Sequence, residues 1–163
     1  MNLEIERKFL IRNQEFKKVC FQKKHIIQGF LNSDKNRVVR VRIIDNKAFL
    51  TIKGISDESG TTRFEWEKEI LLKDAKELMT LCENEIIEKY RYYHEFGEVI
   101  FEIDEFLGNN EGLVIAEIEL ENKNENFLKP NYLGTEVTNE EKYYNSSLSK
   151  NPFKNWIKKN LEP

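Results

Sequence analysis

Apolar and polar residues alternate with a period of two along most of this chain, the pattern of strands that bury one face. Eight segments carry it: Glu4 to Ile11, Ile26 to Leu31, Arg37 to Asp45, Lys47 to Gly54, Arg63 to Leu71, Glu85 to His94, Val99 to Phe106 and Leu113 to Glu121. Turn chemistry separates them, with Asn32-Ser33-Asp34-Lys35-Asn36 before the third and Asp45-Asn46 as a hairpin tip. Ser56 to Thr62 reads as a flexible loop, and Gly97 and Gly108-Asn109-Asn110 mark later turns. Helical spacing is sparse. It predicts a short helix from Asn13 with Phe16, Val19 and Cys20 on one face, and a second capped by Asp74 with a stripe of Leu78, Met79, Leu81 and Cys82. Thr138 and Glu141 resemble a capping box opening a third helix that carries Tyr144 and Leu148. After Pro152 a last amphipathic turn holds Phe153, Trp156 and Ile157, a stripe available to a lid or a homodimer. Many short strands with few helices predict a mainly β (α+β) fold, an antiparallel barrel or strongly curved sheet with helices at its periphery.

Composition sharpens this picture. The 163 residues fit one domain spanning 1–163, with no internal repeat or linker. Charged residues make up 34% and hydrophobic ones only 39%, so much of the chain must face water or ions. Net charge is 26 − 29 = −3, which argues against broad binding of nucleic acid but leaves room for a local basic pocket. Cys20 and Cys82 lack metal-ligand spacing and read as reduced, core-facing thiols of a cytoplasmic protein. The chain starts without an apolar leader and has no run long enough to span a membrane. His25 and His94 are isolated, which argues against a histidine-based zinc site.

The alternation also sorts charge onto faces. Glu4, Glu6 and Lys8 share one face, Arg40 with Arg42 another, and Thr51 with Lys53 a third. Arg63, Glu65, Glu67 and Glu69 align, as do Lys89 with Arg91, Glu102 with Asp104, and Glu117 with Glu119. A half-buried strand commonly shows charges to water, so any one face is ordinary. Doubled like charges are not, because they repel unless water, counter-charge or a ligand lies between them. A closed barrel with apolar residues turned outward would gather both signs in its lumen. Carboxylates there would bind divalent cations, and Arg and Lys a polyanion; triphosphate meets both demands.

The motifs resemble those of the CYTH superfamily, the triphosphate tunnel metalloenzymes. Glu4-Ile5-Glu6-Arg7-Lys8 is similar to the family's ExExK signature. It is followed in order by Gln28-Gly29-Phe30-Leu31, Arg40-Val41-Arg42, Thr51-Ile52-Lys53, Arg63-Phe64-Glu65-Trp66-Glu67 and Ile87-Glu88-Lys89-Tyr90-Arg91-Tyr92. Phe101-Glu102-Ile103-Asp104, Ala116-Glu117-Ile118-Glu119 and Gly134-Thr135-Glu136-Val137-Thr138 with Lys142-Tyr143 complete the series, nearly the whole chain. The resemblance implies an eight-stranded antiparallel β-barrel forming a tunnel. It implies that Glu4, Glu6, Glu117, Glu119 and Asp104 are metal ligands for one or two Mg2+ or Mn2+ ions. Lys8, Arg40, Arg42, Lys53, Arg63, Lys89 and Arg91 would cradle the phosphates, with Lys142 closing one end of the tunnel. Glu67, beside Glu65, would position water, and Lys8 would orient that water or polarise its target. One position departs from the pattern: small bacterial triphosphatases of the family often carry a tyrosine where this chain has Phe30, which reads as a core aromatic without a hydroxyl.

The activity so implied is hydrolysis of triphosphates, inorganic triphosphate first, by in-line attack of a metal-positioned water on the terminal phosphorus. Nucleoside or organic triphosphates are the alternative substrates. The rival readings are a binding protein for polyphosphate or nucleotide with little turnover, and a class IV adenylate cyclase forming cyclic AMP from ATP. The latter needs a purine-reading pocket, and no clear set of residues for one stands out.

Overall fold

The alternating segments close on one another. A computed structural model describes residues 3–156, in which nine strands alternate with a few short helices. In order they are β1 (Leu3–Ile11), α1 (Phe16–Val19), β2 (Gln22–Asn32), β3 (Arg37–Ile44), β4 (Lys47–Ser56), β5 (Thr62–Ile70), α2 (Leu72–Met79), β6 (Glu83–Phe96), β7 (Val99–Phe106), β8 (Val114–Glu119), β9 (Leu133–Glu136) and α3 (Asn145–Lys150). Strands run β5-β4-β3-β2-β6-β7-β8-β1, all antiparallel, and β1 returns to β5 to close an eight-stranded barrel. The hairpin tip between β3 and β4 places Asp45 at φ 52°, a left-handed turn that a short polar side chain tolerates. Its carboxylate also accepts from the His25 backbone N–H at 3.0 Å.

Closure is narrow. Only Leu3, Glu4 and Ile5 of β1 pair with Phe64, Arg63 and Thr62 of β5. Past that point β1 leaves β5 and takes β9 as its neighbour, Phe9 opposite Glu136 and Ile11 opposite Leu133. Thr138 locks this junction, accepting the Lys8 backbone N–H on its hydroxyl at 2.9 Å. The expected capping box is therefore absent. The Thr138 side chain serves β1, a short 3-10 turn spans Glu141–Tyr143, and α3 starts at Asn145.

Apolar residues lie mostly outside the barrel. Phe9, Phe101, Ile103, Ala116 and Ile118 on its outer wall pack under Phe16 of α1 and Tyr132. Val41, Ala48 and the flanking Ile43 and Leu50 are covered by Ala75, Leu78 and Met79 of α2. α2 begins at Leu72 and ends at Met79, so Asp74 sits in its first turn and Leu81 falls beyond it, 70% exposed. Val19 is likewise exposed, and both cysteines are half-buried thiols rather than core residues. A third cluster joins Phe30, Val38, Ile87, Phe106 and Ile115 of the strands to Val137, Tyr143 and Leu148. Residues 153–156 are helical, with Phe153 and Trp156 against this cluster, whereas Ile157 lies outside the described residues.

Candidate functional site

The third cluster matters because its strand residues share faces with the channel's charges. Phe30 pairs with Arg40, Val38 with Lys53, Phe106 with Lys89, and Ile115 with Asp104. Partners directly opposite in a sheet project to the same side, so the inner wall is charged along most of its length and apolar at one end. The period-two pattern predicted the charged stretch. It did not predict the apolar end, because which end of a strand meets α3 is a tertiary matter.

Two connected cavities fill the charged part. The wider, about 460 Å³, is lined by seven carboxylates (Glu4, Glu6, Glu65, Glu67, Glu102, Glu117, Glu119) and four cations, Arg40, Arg42, Lys53 and Arg91. The narrower, about 70 Å³, reverses that balance: Lys8, Arg40, Lys53, Arg63, Lys89 and Arg91 face it against Glu6 and Glu117 alone. Glu6, Arg40, Lys53, Arg91 and Glu117 border both. The channel thus runs from an acidic mouth to a basic inner chamber that ends near the apolar cluster.

Ion pairs set these side chains. Lys53 Nζ lies 3.0 Å from Glu4 Oε1, Lys8 Nζ 3.5 Å from Glu117 Oε1, and Arg91 Nη1 2.7 Å from Glu102 Oε2. Glu67 Oε2 accepts from Arg42 Nη2 at 3.1 Å and from the Thr51 hydroxyl at 2.7 Å, while Arg40 Nη2 lies 3.7 Å away. Glu67 Oε2 thereby bridges Thr51 and the two arginines, while the residue also lines the wider cavity. Arg63 reaches the inner chamber but spends its Nε and Nη2 on the Gly54 carbonyl, at 3.1 and 2.8 Å. The buried Nε groups of Arg40 and Arg42 have no partner among the described residues. Burial, with Arg40 and Arg91 nearby, lowers Arg42 to about 9, still charged at neutral pH.

The carboxylates show the complementary imbalance. Glu6 of β1 pairs in register with Glu119 of β8, and Glu117 of β8 with Glu102 of β7. Like charges directly opposite repel. Burial pushes the Glu6 carboxyl up, and Glu4 adds to the push against Lys53 and Lys8. Glu119 is raised by burial and by Glu4, Glu102 and Glu6. Among the described residues, no three such groups are already drawn together as a metal-binding set. Glu4 and Glu117 each have a lysine partner, whereas Glu6 and Glu119 are left facing like charge, and a cluster of carboxylate oxygens so arranged is the chemistry of a hard divalent cation. Glu4, Glu6, Glu117 and Glu119 fit that role.

Two expected site residues lie elsewhere. Both oxygens of Asp104 are occupied, Oδ1 by Arg91 Nε at 2.7 Å and Oδ2 by Lys89 Nζ at 2.8 Å and Arg91 Nη2 at 2.9 Å. These cations hold its carboxyl far below the usual range, against the effect of burial, and it borders neither cavity. Asp104 is a buttress for two cations, not a free ligand. Lys142 lies outside the channel, its ammonium 5.0 Å from the Trp156 ring centroid and 5.1 Å from that of Tyr143. Lys142 sits on the Glu141–Tyr143 turn beyond β9, and a lysine there reads the same whether it faces the channel or not, so pattern alone could not separate the two.

Other channel residues were not singled out by sequence as site residues. Glu102 lines the mouth and holds Arg91; its doubled charge with Asp104 was the available signal. Asn145 accepts from Lys89 Nζ at 2.9 Å and from Gln28 Nε2 at 2.7 Å, and nothing in its local sequence marks it. Tyr144 turns its ring to the Lys8 ammonium, 4.9 Å from the centroid. Phe30 is buried in the apolar cluster and borders the inner chamber, as a core aromatic should.

Comparison with known proteins gives this architecture a family. Residues 2–152 match the CYTH domain. An inorganic triphosphatase of Acetivibrio thermocellus is 46% identical over 159 residues, covering 96% of this chain and 99% of that protein. One from Nitrosomonas europaea is 31% identical over 150 residues, 90% of this chain and 96% of that one. A crystal structure of an inorganic triphosphatase superposes with a TM-score of 0.61 at 29% identity, over 90% of this chain and 97% of that one. With one domain description spanning the barrel from β1 to α3 and two relatives aligned along nearly their full lengths, this chain belongs to the CYTH domain family.

Proposed function

We propose that the channel hydrolyses inorganic triphosphate with the aid of a divalent cation, Mg2+ or Mn2+. The observation that carries this reading is the buried Nε–H groups of Arg40 and Arg42, which are unpartnered among the described residues. A buried donor without an acceptor costs about 1–3 kcal/mol, and a phosphate oxygen would satisfy it. The name carried by the 46%-identical relative supports the same substrate.

The chain's own groups then divide the work. Glu4, Glu6, Glu117 and Glu119 would hold the cation, which supplies charge neutralisation and acidifies water when bound. Arg40, Arg42, Lys53, Lys89 and Arg91 stabilise negative charge that spreads over the transferring phosphoryl group and the departing diphosphate. Glu67 and Thr51 keep the arginines aimed, so little rearrangement is needed as charge develops. Lys8 is buried and pulled up toward its charged form by Glu117 and Glu6 despite desolvation. It stays an ammonium and polarises the phosphoryl oxygen or orients the water.

Phosphate release from inorganic triphosphate with either metal tests the reading. Wild type is expected to turn over, and Glu6→Gln and Arg42→Ala to lose most activity. Unchanged rates in both variants would sink the channel assignment. Cyclic AMP formed from ATP in the same assay would favour cyclase chemistry instead.

A further inference from the structure

Tyr144 lines the inner chamber together with Asn145 and Ser146, where α3 begins. On one side its ring faces the Lys8 ammonium within the chamber; on the other it borders a separate outer cavity of about 190 Å³ beside Lys35. Among the described residues, Tyr144 and Ser56 alone border both spaces. The tyrosine is not a loose surface group. Its N–H donates to the Glu141 carbonyl at 3.0 Å, and its own carbonyl accepts from Ser147 and Leu148 at 3.0 and 2.9 Å. Asn145 next to it is tied to Lys89 and Gln28, and Leu148 is wholly buried in the apolar cluster.

We infer that Tyr144 is the end wall of the channel and sets the register of a linear phosphate chain within it. The inference rests on the triphosphatase reading and specifies how that site selects the bond it breaks. A polyanion enters by the acidic mouth, where cations can accompany it, and its leading phosphoryl group stops against Tyr144 among Lys8, Lys89 and Arg91. Reacting groups held at a fixed distance from a fixed stop act on one phosphorus, counted from the chain end. Water oxygen then bonds to the terminal phosphorus, and the bridging oxygen leaves with the shorter chain. Phosphates beyond the third extend out of the mouth. Without the ring the chain can slide toward the outer cavity, and internal phosphorus atoms reach the reacting position.

Linear tetraphosphate reads the register directly, because its first products differ. Terminal scission yields phosphate and triphosphate, whereas internal scission yields two diphosphates. Initial products resolved by anion-exchange chromatography should be phosphate and triphosphate for wild type. Tyr144→Phe, which keeps the ring, should give the same ratio, and Tyr144→Ala should raise the share of initial diphosphate by roughly tenfold, the scale on which a steric stop discriminates. Initial diphosphate from wild type, no turnover of tetraphosphate by wild type, or an unchanged ratio in a folded Tyr144→Ala would each overturn the end wall. The wild-type pattern alone can do so if the alanine variant fails to fold. Failure of wild type to release phosphate from triphosphate would instead overturn the triphosphatase reading.

Discussion

Lys89 Nζ lies 2.8 Å from Asp104 Oδ2, and each side chain is 2% exposed. Arg91 shares the same carboxylate, so two buried cations lean on one buried anion. The guanidinium stays charged, and the ammonium yields: burial and Arg91 pull Lys89 down to about 8, with Asp104 opposing them. The arrangement presents positive charge to the inner chamber from a rigid base.

Removing the anion should therefore harm the fold before it harms metal binding. Asp104→Asn leaves two buried cations without their counter-charge and should destabilise the protein by about 3–5 kcal/mol. Urea denaturation measures this. A shift below about 1 kcal/mol would show that Asp104 is dispensable to the pair.

Lys89 predicts opposite pH trends for stability and binding. An unfolded lysine titrates near 10.4, so between about 8 and about 10.4 the unfolded chain binds more protons than the folded one, and stability from this group rises with pH. Triphosphate affinity should fall over the same window as the ammonium discharges. Lys89→Arg should flatten both trends, as seen by denaturation and calorimetry across pH 7 to 10.

The carboxylate surplus predicts stabilisation by metal. Glu6 is raised by burial and by Glu4, so metal-free protein favours the proton there and loses stability as pH rises through that raised range. A divalent cation should replace the proton, lifting the melting temperature more at pH 7.5 than at pH 5. Saturation at about a hundred times the dissociation constant corresponds to about 2.7 kcal/mol. Glu6→Gln should melt higher without metal and gain less from it.

Arg42 trades stability for function. Its guanidinium is buried beside Arg40 and Arg91 with an unpartnered Nε–H. Arg42→Ala should lower kcat/KM by about 10²–10³ while leaving stability unchanged or improved, since it relieves that repulsion. Steady-state kinetics together with a thermal melt separates the two effects.

Alternation by itself determined the eight barrel strands, their faces and most of the charge set, but not the short β9, whose four residues carry too little pattern to read. Period two is a local property of extended backbone, so Glu4, Glu6 and Lys8 had to share a side whatever they met there. Doubled like charges on Arg40/Arg42 and Glu117/Glu119 then required a partner, and the motif order supplied the family. Tertiary structure decided what lies across the lumen. The register of β7 against β6 turned Asp104 from a ligand into a buttress, and the path of the chain after β9 carried Lys142 outside while bringing Tyr144 and Asn145 in. These are contacts between segments far apart in sequence, and no local pattern encodes them, because a charged residue on a strand looks the same whether water, a metal or another charge awaits it.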